Sequence, residues 1–272
     1  MKRRSSRKKN LHQKLVLSQM NTKKATKLDM DDRAKIIQYF SKPGGGDNSM
    51  ESVKIENMFG TCWSIPAASP PLPTVITVQA PAGIGKSSML KYMCMKWGCT
   101  ELWNSNFDVL IFVECRTLNR LGSMTGRKFM SEILGAIEGK VSLEETVEDE
   151  ECSEFAELAK KAAAGRVLLL LDGLDEIHGV GNLANIRQPA GHPEKPGQPG
   201  KGAIDAVLSP LEFAQCLLTG ALLQGCHVIV TSRPHTLSHL QSSRWFLSLP
   251  KRMVSLDIQG LSEEGVQSFI HR

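Results

Sequence analysis

Apolar residues in this chain gather into five short, nearly unbroken runs: Thr74–Gln79, Val109–Cys115, Val167–Leu171, His227–Thr231 and Val254–Ile258. Each is rich in Val, Ile or Leu, and polar, Gly or Pro positions border most of them, which predicts strands buried on both faces. Between them lie stretches of helical spacing: Ser87–Trp97, Arg127–Ile137, Glu151–Ala164 and Pro210–Leu223. In the first of these Met89, Leu90, Met93 and Trp97 form a core-facing stripe, and Cys94 and Cys99 are expected to pack beside it as small apolar groups. Strands alternating with helices predict an α/β fold, a five-stranded parallel sheet with helices on both faces. The long apolar stretch Val167–Leu171 is too short to cross a bilayer.

Outside these runs the pattern dissolves. Residues 1–30 hold ten Lys/Arg against Asp29 alone, about +9, so with a net charge of +5 the remaining chain sums to about −4. The basic balance belongs to an arm expected to be largely disordered, and says little about the folded body. Lys2-Arg3-Arg4-Ser5-Ser6-Arg7-Lys8-Lys9 reads either as a patch for nucleic acid, an acidic surface or nuclear import, or as a solvated tail without a partner. Residues 31–40 have helical spacing, Ser41–Ser49 reads as a Gly-rich linker, and Val53–Phe59 is a short apolar-periodic piece. The division is therefore 1–50, arm and linker, and 53–272, the folded domain, with Gly179–Gly202 a flexible Pro/Gly-rich insertion loop. Glu144–Glu154 is an acidic loop and helix start. Seven cysteines, an odd number without CxxC pairs or a Cys/His array, point to a reduced, intracellular chain. The N-terminus has a basic start and no apolar stretch of signal-peptide length.

Chemistry enters at the end of the first strand. Ala80-Pro81-Ala82-Gly83-Ile84-Gly85-Lys86-Ser87 fits GxxxxGK[ST] except at its first position, where Ala80 stands for Gly. Such a turn between strand and helix aims successive backbone N–H groups at phosphate oxygens. Gly83 and Gly85 permit positive φ and close approach, Lys86 places a cation on the β/γ phosphates, and Ser87 offers a hydroxyl to Mg²⁺. Ser88 and the helix N-terminus complete the cradle. Ala80 is tolerable where φ is negative.

Two further strand ends carry charge. Val167–Leu171 runs into Asp172-Gly173-Leu174-Asp175-Glu176, placing acids at the carboxyl edge where parallel sheets bind ligands. Asp172 is the candidate Mg²⁺ residue, and Asp175 or Glu176 orients or deprotonates an attacking water. His227–Thr231 runs into Ser232-Arg233-Pro234, where Arg233 is placed to sense a γ-phosphate and stabilise developing charge.

Together Ala80–Ser88 (APAGIGKSS), Leu168–Ile177 (LLLLDGLDEI) and Val228–Pro234 (VIVTSRP) resemble the NACHT domain of NOD-like receptors, in the STAND class of P-loop ATPases related to AAA+ proteins. Lys96-Trp97, Phe107–Asn119 (FDVLIFVECRTLN), Leu261–Ile270 (LSEEGVQSFI) and Val53–Phe59 (VKIENMF) extend the resemblance over about 53–272. It implies an ASCE-type sheet with the Arg233 strand between the cradle and acid strands. It also implies ADP-bound rest, ATP-bound activation, slow turnover and self-assembly, often in innate immune signalling in the cytoplasm. Relatives continue into helical and winged-helix domains and commonly leucine-rich repeats, so the sequence is expected to be a fragment, a truncated product or a partner-dependent subunit.

Rival chemistries find less support. A GTPase needs [NT]KxD after a later strand, whereas Thr26-Lys27-Leu28-Asp29 precedes the cradle. A small-molecule kinase would lack the DGLDE ending. His235 and His239 share a helical spacing without the Glu of HExxH or a third ligand. A second class stays open: a binding module that holds nucleotide without hydrolysing it and offers a surface to a partner.

Overall fold

The structure is a computed structural model that describes residues 14–17, 40–43, 50–59, 74–103, 105–138, 148–180, 202–242 and 252–258. The strands are β1 (Lys14–Leu17), β2 (Phe40–Pro43), β3 (Met50–Val53), β4 (Thr74–Gln79), β5 (Val109–Glu114), β6 (Met124–Thr125), β7 (Val167–Asp172), β8 (Val207–Leu208), β9 (His227–Ser232) and β10 (Arg252–Ile258). The helices are α1 (Lys86–Gly98), α2 (Cys115–Leu118), α3 (Gly126–Glu138), α4 (Glu148–Ala163), α5 (Pro210–Thr219) and α6 (Pro234–Ser242). One sheet has the order β1-β5-β7-β9-β4-β10-β2-β3, and β6 and β8 form a small antiparallel ribbon.

The five expected strands lie side by side and parallel as β5-β7-β9-β4-β10. Each matches its sequence run to within two residues. The strand ending at Arg233 lies between the cradle and acid strands, the ASCE order. Every residue of β5, β7 and β9 is buried, as a sheet covered on both faces demands. Alternate side chains feed two separate cores. Val109, Ile111, Val113, Leu169, Leu171, Val228 and Val230 face α3, α4 and α5. Leu110, Phe112, Leu168, Leu170, Ile229 and Leu256 face α1, whose Met89, Leu90, Met93, Cys94 and Trp97 are all buried. Cys99, expected to pack in the same stripe, is exposed, because α1 has ended one residue earlier.

At the edge of this second core, 53–59 docks as a short 3-10 turn that buries Ile55, Met58 and Phe59. Phe59 meets Trp103, Phe107 and His227 edge-on at 5.1, 5.3 and 5.7 Å. α5 is shorter than its expected Pro210–Leu223, because Gly220 takes a left-handed φ of 74° and closes it.

Region 1–50 differs from the expectation of arm and linker in two places. β1 adds a parallel strand to β5, Lys14↔Val109 through Leu17↔Phe112. Its three consecutive apolar residues, Leu15-Val16-Leu17, are masked in the sequence by the surrounding charge. β2 starts at Phe40, the last residue of the stretch with helical spacing, runs into the Gly-rich stretch and pairs antiparallel with β10 and β3. Gly and Asn punctuation between two short strands signals a hairpin as readily as a linker. Pro43 falls beyond the β10 pairing and sits at the last register position of the β2–β3 ladder, opposite Met50. Lys2–Lys9, Thr26–Asp29 and 181–201 of the insertion lie outside the described residues.

Candidate nucleotide-binding site

The cradle grows directly from β4 and α1. Gly83 (φ 80°) and Gly85 (φ 104°) both take the left-handed region that side chains resist. No Cβ at Gly83 would meet anything within 4 Å, so backbone conformation, not crowding, demands glycine there. Ala80 is not among the positive-φ residues, which is why a methyl is tolerated at the first position; it is buried, and its N–H donates to the Ser232 carbonyl at 3.3 Å. Gly85 caps α1, and Met89 is the first residue to donate back into the helix, at 2.9 Å to the Gly85 carbonyl. The N–H groups of Lys86, Ser87 and Ser88 therefore point out of the helix end as an anion-binding set. Ser87 is exposed, and Pro81 and Ala82 form the open rim.

Lys86 folds into this loop. Its Nζ donates to the Ala80 and Pro81 carbonyls, both at 2.8 Å. Burial pulls its pKa below the ordinary lysine range; Asp175, Asp172 and Glu176 oppose that pull, and Arg233 reinforces it. One ammonium thus feels all four charges from the neighbouring strand ends.

Those charges are fixed by β7 and β9 running in parallel. Asp172, buried at the end of β7, accepts from the Thr231 hydroxyl at 2.9 Å, and that hydroxyl accepts the Gly173 N–H at 3.0 Å. Asp175 follows in a 3-10 turn (Leu174–Glu176) and reaches across to β9. Its Oδ1 accepts from Ser232 Oγ at 3.2 Å and the Arg233 N–H at 3.1 Å, and its Oδ2 meets Arg233 Nε at 2.9 Å. Both oxygens of Asp175 are therefore committed to the β9 end. Glu176 is exposed, and its side chain has no hydrogen-bond partner among the described residues.

A third wall comes from the β5–α2 corner. Glu114 registers beside Asp172 and binds Lys91 of α1 at 3.0 Å and Arg116 at 3.0 Å. Burial acts to raise its pKa, but the hydrogen bonds from Lys91 and Arg116 outweigh it and hold the carboxyl below the usual range. Asn119, just past α2, donates to the Glu176 carbonyl and accepts from the His178 N–H, each at 2.9 Å.

Against known proteins, the sequence model described as "NACHT domain" matches residues 74–272. The chain belongs to the NACHT domain family. This NACHT domain is 29% identical over 171 residues to the NACHT, LRR and PYD domains-containing protein 6 of Mus musculus, covering 62% of the chain and 16% of that protein. It is 31% identical to Protein NLRC5 of Homo sapiens over 61% of the chain and 7% of that protein. It is 27% identical to the NACHT, LRR and PYD domains-containing protein 3 of Mus musculus over 80% of the chain and 17% of that protein. The chain thus spans about a sixth or less of the length of these relatives. Among solved structures it is similar to a DNA replication initiation factor (TM-score 0.36, 13% identity, 80% of this chain and 50% of that one). It is likewise similar to the Aeropyrum pernix ORC2 protein in ADPNP–ADP complexes (0.36, 11%, 79% and 48%).

A P-loop NTPase fold implies a nucleotide, usually with Mg²⁺, and the residues of this NACHT domain fit both. The left-handed glycines, the open α1 N–H groups and the inward Lys86 suit a polyphosphate, and the buried Asp172 at the end of β7 and the exposed Ser87 hydroxyl at the start of α1 offer hard oxygen donors. Among the described residues no His/Cys/Asp/Glu group has the arrangement of a metal cluster, and no helix is long and apolar enough to cross a membrane. Sequence reasoning did not single out Thr231, Glu114 or Asn119. The polar end of β9 hinted at the first, whereas the other two act through contacts that leave no periodic mark.

Proposed function

We propose that this NACHT domain is an ATP/ADP-binding molecular switch with slow Mg²⁺-dependent hydrolysis. The observation that carries the reading is the convergence of Lys86, Arg233, Asp172, Asp175 and Glu176 at the carboxyl ends of three adjacent parallel strands, within electrostatic reach of one ammonium. In this reading Ala80 to Ser88 hold the phosphates, and Ser87 and Asp172 hold Mg²⁺. Bound Mg²⁺ supplies neutralisation of phosphate charge. Asp175, with both oxygens engaged, positions Arg233, whose Nε is pinned and whose outer guanidinium nitrogens would be left for a γ-phosphate. Glu176 is left to polarise water and accept its proton. Because nucleotide biases one arrangement over another, slow turnover suits a switch. Self-association, protein partners, a cytoplasmic setting and a part in innate immune signalling complete the proposal as what the resemblance to NOD-like receptors implies.

Turnover and binding test it together. ADP is expected to co-purify with the chain, whereas GDP would overturn the adenine assignment. Lys86→Ala is expected to abolish nucleotide binding. Glu176→Gln is expected to keep binding while turnover falls on the order of 100-fold or more; unchanged turnover sinks its role. A second reading, a module that binds nucleotide without turnover, is favoured by the full engagement of Asp175, and binding with no measurable hydrolysis would select it.

A further inference from the structure

We infer that Asn119 is a positioning residue for Glu176, and that through it the β5–α2 corner aligns the water-polarising carboxylate; this rests on the role given to Glu176 above. The acid turn leaves β7 through Gly173 at a left-handed φ of 73° and becomes extended again at Ile177. Leu174 and Ile177 are buried and anchor its two ends. Asp175 between them is held by β9. Glu176 has no such hold on its side chain, so its aim depends on its backbone.

Within the turn the Glu176 N–H donates to the Gly173 carbonyl at 2.9 Å, and from outside the turn one amide grips the same backbone. The Asn119 Nδ2 donates to the Glu176 carbonyl and its Oδ1 accepts the His178 N–H, both at 2.9 Å. Donor and acceptor on a short planar side chain serve two groups two residues apart, which an ionised carboxylate of the same size, an acceptor only, cannot do. The grip reaches across 57 and 59 residues of sequence, so it ties two elements and does not merely close a local turn. Asn119 itself is well mounted. Cys115 and Leu118 are buried beneath it, and the Thr117 hydroxyl donates to the Glu114 carbonyl at 2.7 Å. Glu114 extends the mount to α1 through Lys91 at 3.0 Å. The acid turn and the phosphate helix therefore share one support, and displacement of Glu176 by about an ångström is the error that support prevents.

The test uses the whole chain and three variants. Asn119→Ala is expected to lower single-turnover ATP hydrolysis by about 10–100-fold, with ADP affinity within about twofold of the parent. Hydrogen exchange, followed by mass spectrometry on a peptide spanning 172–180, is expected to rise. Asn119→Asp keeps the shape and the acceptor for His178 but loses the donor to Glu176; it should hydrolyse at an intermediate rate, and it carries the test if the alanine variant does not fold. Phe107→Leu, a destabilising change at the opposite, amino end of the strands, where Phe107 packs on Phe59 and His227, should leave turnover and exchange at 172–180 unchanged. Equal loss of turnover in Phe107→Leu and Asn119→Ala, or unchanged exchange in Asn119→Ala, overturns the inference. A parent chain that binds ADP and hydrolyses nothing defeats the role of Glu176 instead, and exchange alone then decides whether Asn119 braces the turn.

Discussion

His227 occupies the first position of β9, its ring edge-on to Phe59 at 5.7 Å and Phe107 at 5.6 Å. Its Nδ1 accepts the Thr74 N–H at 3.2 Å, which fixes it as an acceptor and joins the starts of two neighbouring strands. Burial lowers its pKa to about 4, against 6.5 for a free histidine. Between those values the unfolded chain takes up a proton that the folded chain refuses, so stability rises with pH across the window. It is complete above about pH 6.5 and is lost as pH falls toward 4, a span worth roughly 3 kcal/mol. Urea unfolding at stepped pH should show this slope, and His227→Asn, which keeps an acceptor for Thr74, should flatten it. Thr231 poses a second residue-scale question. Thr231→Val strips the hydroxyl shared by Asp172 and Gly173 and leaves both buried groups short of a partner, for an expected loss of about 1–3 kcal/mol in the same measurement.

At the scale of elements, α5 shows how much a local rule contributes. Ser209 and Glu212 form a reciprocal cap: the Ser209 N–H donates to Glu212 Oε2 at 2.8 Å, and Ser209 Oγ accepts the Glu212 N–H at 3.3 Å. Ser209→Ala is expected to cost about 1 kcal/mol, read as a lower urea midpoint with unchanged slope. The same scale explains what the sequence reveals. The five central strands were legible because burial on both faces writes an unbroken apolar run, and the cradle was legible because Gly83, Gly85, Lys86 and Ser87 are local in sequence. β1 to β3 were not: Leu15-Val16-Leu17 of β1 is set in a strongly basic stretch, and β2 and β3, four residues each at or near a sheet edge, need little apolar character. The pairing of Asp175 with Arg233 was also hidden. Both residues were visible as strand-end charges, and the resemblance set their strands side by side, but the contact depends on the 3-10 turn that carries Asp175 back across β9, which composition does not encode.

At the scale of the molecule, the two cores on either side of the sheet hold the three strand ends in one frame, so a ligand bound at the carboxyl edge should stabilise the whole domain. Mg²⁺–ADP at about 100 times its Kd is expected to add roughly 2.7 kcal/mol. For a domain of this size that is a Tm rise of roughly 5–10 °C. Lys86→Ala should remove the rise, and chelation of Mg²⁺ should reduce it. A chain whose Tm ignores the nucleotide would contradict the fit of the cradle.

The place of β4 between β9 and β10 has a consequence for biosynthesis. Its first residue bonds a partner 153 positions further along, and its other flank waits for residue 252. At about 5–20 residues per second, a ribosome exposes β4 for roughly 8–30 s before β9 exists to receive it. During that interval the apolar stretch 74–79 has neither neighbour, which makes it a natural client for a chaperone. A nascent chain arrested before His227 would carry every letter of the phosphate motif and still be expected to bind no phosphate.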